Sequence, residues 1–211
     1  SNNSSERTAH EMILSRLLQA IFGGKHSTPE RRYWLFYAGL ENYLFEGGVR
    51  ELPREVFWSC EPETRKGDLI LVYRKSKKQL TVPLLMKHFG MSQETASRVS
   101  NEDVGKDFPV IWEATSNSRR KFFWSWPYGC DVREFRKILP PLQLEQLKVI
   151  PELKKWEGLR FNLQAKGRSA LEIPPFAWKI ISNVIERNEE KRNSGQSSEH
   201  LNPNKPLEPT P

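Results

Sequence analysis

The sequence predicts an α+β protein: a small mixed β-barrel flanked by helices, with a helical hairpin inserted between two strands. Three observations carry that expectation. Short runs of β-branched and aromatic residues arrive at irregular intervals between residues 31 and 138, unlike the regular strand–helix alternation of a parallel α/β sheet. Pro174-Pro175 introduces a run with helical spacing. No glycine-rich phosphate loop follows any of the strand-like runs, which excludes the common nucleotide-binding folds.

The elements follow in chain order. "AHEMILSRLLQAIF" (9–22) places apolar residues at 13, 14, 17, 18, 21 and 22, a helical period that Gly23-Gly24 stops. "RRYWLFYA" (31–38), "GDLILVYRKS" (67–76) and "FPVIWEATSN" (108–117) predict buried strands. "FFWSWPYGCDVREFRKI" (122–138) supplies one or two more, and Pro140-Pro141 is expected to end that region. "LQLEQLKVIPELKKW" predicts short helical turns parted by Pro151, and "LRFNLQAKGRSALEI" (159–173) a short strand and a loop. "FAWKIISNVIERNEEKR" predicts the last helix. The chain thus divides into an N-terminal amphipathic helix and linker (1–30), one domain (31–190) with a helical insertion at about 77–107, and a disordered tail (191–211) rich in Ser, Asn and Pro.

Composition narrows the function. The 211 residues carry a net charge of +7, which favours a polyanionic partner. No apolar run approaches the length of a membrane span, and no charged stretch leading into an apolar one opens the chain. Membrane anchoring is therefore not expected, and a cytoplasmic location, nucleoid-associated if the source is bacterial, is. The chain begins at Ser1, so a processed end or an excised fragment is expected. Cys60 and Cys130 are its two cysteines and its four histidines are scattered. No metal-ligand spacing results, and the thiols are expected to be reduced and to fill space.

The insertion has a motif of its own. Within "LTVPLLMKHFGMSQETASRVS" (80–100), Pro83 starts a helix, Gly90 breaks it and Ser92 caps the next, as in a helix-turn-helix. Leu84, Leu85, Met91, Ala96 and Val99 fall on its seam, and Gln93, Glu94, Thr95 and Arg98 on the outer face of a recognition helix. A hairpin that only covers the barrel has the same pattern.

Three segments together resemble the EVE family of the PUA superfamily: "YWLFYAGLEN", "GGVRELPREVFWSCEPETRKGDLILVYRKS", and "YGCDVREFRKILPPLQLEQLKVIPELKKW" closing with "AKGRSALEIPPFAWKII". The resemblance covers roughly 31–185. It implies a compact barrel that reads modified bases of DNA or RNA in an aromatic pocket, often beside nucleases or methyltransferases of restriction systems. Two positions depart from the family pattern. Phe36-Tyr37-Ala38 replaces a polar stretch, and Glu51 stands where an Asn is common.

The aromatic set points to the same chemistry. Seven Trp, five Tyr and eleven Phe fall mostly in 33–58 and 108–135, and a base needs flat apolar walls with a few donors at its edge. Trp34, Trp58, Trp112, Trp124, Trp126 and Tyr128 are candidate walls, although core packing explains any single one. Strand alternation sets Trp34 and Phe36 against Tyr33, Leu35 and Tyr37, and pairs Trp124 with Trp126 on one face, with Pro127 pushing Trp126 to a rim. The expected base site is Phe36, Tyr37, Tyr73, Trp112, Trp124 and Trp126 for stacking, with Arg50, Ser76 and Ser169 at the edge. The expected phosphate contacts are Arg74, Arg119, Arg120, Lys121, Lys166 and Arg168, beside Lys75, Lys77 and Lys78. Catalysis, cofactor and metal find no support. Asp68 and Glu113 invite a nuclease reading, but Thr115 stands where that pattern needs a lysine, and no nucleophile sits in a strained-turn motif. A non-enzymatic reader, with DNA favoured over RNA and a nuclease or other restriction-system protein as partner, is the expected function. The alternatives are a protein-interaction scaffold or duplex recognition by the inserted hairpin.

Overall fold

In the computed structural model, residues 30–76, 80–102, 104–121, 126–164 and 167–199 are described, with side chains as far as Ser194. The helix expected at 9–22, Lys77, Lys78, Trp124, Lys166 and the last residues of the tail lie outside them. The backbone is a curled, open half-barrel of mixed α+β type, the architecture that the sequence predicts.

Its strands are β1 (Tyr33–Ala38), β2 (Leu44–Phe45), β3 (Gly48–Val49), β4 (Glu55–Ser59), β5 (Leu69–Arg74), β6 (Asp107–Ala114), β7 (Arg119–Arg120), β8 (Tyr128–Gln143) and β9 (Ala170–Glu172). Seven of them form one sheet in the order β4-β8-β6-β5-β1-β9, with β7 paired on β8, while β2 and β3 pair with each other. Among the described residues, only β1 and β5 run parallel. Asp68, 4% exposed, locks that pair at its start. Its carboxylate accepts from the Trp34 indole at 2.8 Å, the Arg32 amide at 3.2 Å and the Arg65 amide at 2.9 Å. These bonds satisfy the buried carboxylate and fix the start of β1 against β5.

Both faces of the sheet are covered, so "LILVY" reads as a continuous apolar run rather than an alternating one. One face carries Trp34, Phe36, Ala38, Ile70, Val72 and Trp112. The other carries Leu35, Leu71, Tyr73, Phe108 and Ile111. The alternation expected along β1 holds. The first face is closed by the inserted hairpin, helices α2 (Val82–Phe89) and α3 (Gln93–Asn101), which follow the short α1 (Leu40–Tyr43) in the chain. The second face is closed by α4 (Leu144–Lys148), a 3₁₀ turn (Pro151–Lys155), α5 (Glu157–Arg160) and α6 (Pro175–Glu199). Tyr33 stacks on Trp178 of α6 with centroids 4.6 Å apart. Truncating a fully buried residue such as Ile70 or Leu71 to Ala costs about 2–5 kcal/mol in such a core.

The hairpin has the caps its sequence predicts. Pro83 lies in the first turn of α2, Gly90 ends it with φ 68°, and the Ser92 hydroxyl accepts from the Thr95 amide at 3.2 Å. Leu85, Met91, Ala96 and Val99 are buried in the cluster on the first face of the sheet. Leu84, expected on that seam, is only half-buried.

Other expectations are revised. The strand β8 runs through Pro140-Pro141 to Gln143. Between Val110↔Lys137 and Phe108↔Leu142 its register with β6 shifts, and such an irregularity tolerates residues without an N–H. The segment 159–173 holds the expected short strand, β9, and a loop, but it opens in the helical turn α5. Helix α6 continues through 191 to Glu199, where loose chain is expected. Finally, β4 is a strand that the sequence reading does not single out, although "EVFWS" between Pro53 and Pro62 is rich in β-formers. Cys60 and Cys130 are free and buried in the first layer, as packing thiols are. No helix among the described residues is long and apolar enough to cross a membrane.

Candidate functional site

A cleft of about 530 Å3 opens where the end of β1, the edge strand β4, the β7–β8 turn and the loop before β9 converge. Its aromatic lining is Tyr37, Phe57, Trp58 and Trp126, and its cations are Lys75, Lys121 and Arg168. Glu41, Asn42, Ser59 and Ser169 supply polar edges. A cavity of about 420 Å3 adjoins it through Lys75, Trp126 and Arg168, and Tyr73, Ser76 and Asn162 line its other side.

Each wall has a local cause. Tyr37 is the last-but-one residue of β1 and points away from the first core. Its hydroxyl donates to the Leu163 carbonyl at 2.8 Å, and burial, with Tyr73 beside it, raises its pKa well above the ordinary phenol range. It therefore stays a neutral donor at every ordinary pH. The Lys75 ammonium lies 4.4 Å from the centroid of the Tyr37 ring.

Phe57 and Trp58 are neighbours on β4, an edge strand, so both faces of that strand can border a cleft. The Phe57 ring lies against Gly129, where an added Cβ would come within 2.5 Å of the ring and 2.9 Å of the Trp58 carbonyl oxygen. The Arg119 guanidinium sits 4.4 Å and the Lys121 ammonium 5.3 Å from its centroid. Phe57 is thus already covered by cations. Trp58 meets Trp112 edge-on at 5.2 Å, and Trp126, 39% exposed, stands on the rim. Among the described residues no cation covers Trp58 or Trp126.

Lys121 donates to the Ser59 hydroxyl at 3.0 Å, and partial burial lowers its pKa from the usual lysine value. Ser169 is fixed from below: Glu61 Oε1 accepts from its amide and its hydroxyl at 2.8 Å each, and from the Ala170 amide at 3.1 Å. That carboxylate pins the loop carrying Arg168.

The structure brings together Tyr37, Trp126, Ser169, Lys121 and Arg168 of the expected set, with Tyr73 and Ser76 in the adjoining cavity. The others are placed elsewhere. Phe36 and Trp112 have no exposed surface and fill the core, because the alternation that turns Tyr37 outward turns Phe36 inward. Arg74 pairs with Asp107 through two hydrogen bonds, the longer 2.7 Å, and leans on Tyr43, so it holds β5 to β6. Arg119 pairs with Asp131 at 2.6 and 3.0 Å. Arg50 donates to the Asn42 and Glu41 carbonyls at 3.3 and 3.2 Å and closes the end of α1. Arg120 is exposed on β7 and does not line the cleft. Glu113 is paired to Arg133 at 2.7 Å on the sheet. Phe57, Ser59, Glu41 and Asn42 were not singled out, and recognising β4 as an edge strand would have found the first two.

No family model matches the chain, and no curated protein does. Solved structures do. A protein of Agrobacterium tumefaciens is similar over 73% of this chain and 92% of its own, at 15% identity and a TM-score of 0.45. Human THYN1 in complex with 5-methylcytosine-containing DNA is similar over 74% and 98%, at 11% identity and a TM-score of 0.45. A hypothetical protein of Leishmania major is similar over 76% and 98%, at 13% identity and a TM-score of 0.47. At these scores and identities the likenesses say nothing of what this chain binds.

Proposed function

We propose that this protein is a non-enzymatic nucleic-acid reader that takes a modified base, flipped or unpaired and carried by DNA rather than RNA, into the cleft between β1, β4 and the loop before β9. The observation that carries this reading is the composition of that one cleft: Trp58 and Trp126 as aromatic walls, ringed by Lys75, Lys121 and Arg168. Aromatic faces hold a base by stacking, at about 1–3 kcal/mol each by truncation. Cations at the mouth meet the phosphates that follow it. Asn42, Ser59, Ser169 and the Glu41 carboxylate offer the hydrogen bonds that separate one base edge from another. A restriction-system nuclease is the kind of partner that such a reader serves. The reading rests on the cleft's own residues and on the EVE resemblance of the sequence.

The test is a fluorescence-anisotropy screen with short DNA and RNA strands and duplexes carrying 5-methylcytosine or N6-methyladenine against their unmodified forms. The expected result is tighter binding of one modified DNA probe, with the preference lost in Trp58→Ala and Trp126→Ala. Equal affinity for modified and unmodified probes in the wild type would refute it.

A further inference from the structure

A cavity of about 370 Å3 lies between the inserted hairpin and the barrel, and it shares Gly39, Glu41 and Lys75 with the main cleft. Its far wall is α2: Leu84, His88 and Phe89 face Leu40, Lys75 and Ser76 across it. Leu84 is half-buried and takes no part in the core that Leu85, one residue on, helps to build. Phe89, in contrast, packs partly on that core while lining the cavity. The hairpin thus does more than close the barrel end.

We propose that this cavity is a second subsite, which holds the unpaired nucleobase next to the one in the main cleft. The inference rests on the proposed reading of that cleft. Three features select this occupant. The walls are apolar where the flat face of a base would lie, at Leu84, Phe89 and Leu40, and polar at the rim, at Ser76, His88 and Glu41. The two cavities adjoin, as two successive nucleotides do. Lys75 stands at their shared edge with its side chain exposed, and a single phosphodiester joins two successive bases. A cation at the junction is where that phosphate would be met. The reader therefore recognises a dinucleotide step, and the identity of the neighbouring base enters through the helical insertion.

The experiment is an abasic scan. Short single-stranded DNA probes carry one 5-methylcytosine, and an abasic site replaces in turn that base, its 5′ neighbour or its 3′ neighbour. Binding of the full chain is measured by anisotropy. An abasic site at one neighbour, and not the other, is expected to weaken wild-type binding about 5-fold or more, the scale of a lost base stack. Leu84→Ser is expected to bind the intact probe more weakly and to be indifferent to that abasic site. His88→Ala, altered at an exposed position, provides a second variant, and thermal melting checks that both fold.

No cost at either neighbour in the wild type overturns the subsite, as does a neighbour cost of equal size in both variants. In those cases a persisting cost at the methylated position leaves the main cleft standing. No cost at the methylated position overturns both. A final probe replaces the methylated base by glucosylated 5-hydroxymethylcytosine beside an abasic neighbour. Full wild-type affinity for it, lost in Leu84→Ser, would overturn the proposal in favour of a pocket for the base's own adduct.

Discussion

Trp58 and Trp126 border one cleft from opposite parts of the chain, and their surroundings decide what removing each would do. Trp126 stands on the rim at 39% exposure, so Trp126→Ala should leave the melting temperature nearly unchanged, as surface substitutions do. It should still weaken binding of a modified probe about 5-fold or more, which anisotropy and a thermal melt check together. Phe36→Ala is the opposite case. That ring is fully buried, and the expected loss is about 3–5 kcal/mol of stability, read in a denaturant titration. Among the cations, Arg168 lines the cleft without an ion partner among the described residues. Arg168→Ala should lower the salt slope of binding by about 0.7, the share of one phosphate contact on a single strand. Lys121 adds a pH dependence. Burial holds its pKa below the ordinary lysine value, so as pH rises it loses its charge before surface lysines do. Affinity should fall in that alkaline window, and Lys121→Arg, which stays charged, should remove the fall.

At the scale of elements, the cleft depends on supports that do not touch the ligand. Glu61 holds the loop before β9 through three hydrogen bonds to one oxygen. Glu61→Ala should speed hydrogen exchange at the Ser169 and Ala170 amides and weaken nucleic-acid binding, with every lining residue unchanged. In the hairpin, the Ser92 cap predicts a loss of about 1 kcal/mol for Ser92→Ala, measurable by chemical denaturation. Elements with strong local signals were legible in the sequence: β1, β5, β6, the capped pair α2 and α3, and the start of α6. Those whose conformation depends on distant partners were not. β4 is five residues long and gains its hydrogen bonds from β8. β8 passes two prolines because β6 shifts register opposite them. The site followed the same division. Tyr37, Trp126, Ser169, Lys121 and Arg168 were legible as an aromatic and basic set. That Arg74 and Arg119 would be taken by Asp107 and Asp131 was not, since both acids come from strands paired late in the chain.

For the whole molecule, the cleft is the meeting point of segments far apart in sequence. Tyr37 is bonded to a carbonyl 126 residues away, Lys121 to a serine 62 away, and Ser169 to a glutamate 108 away. Closing such long loops is entropically costly until the whole sheet is assembled, and topologies of this kind fold slowly. The cleft is therefore among the last features to exist during folding and among the first to go during unfolding. A bound strand accordingly acts as a clamp on the entire native state, and its presence should move the global unfolding transition rather than stiffen one loop.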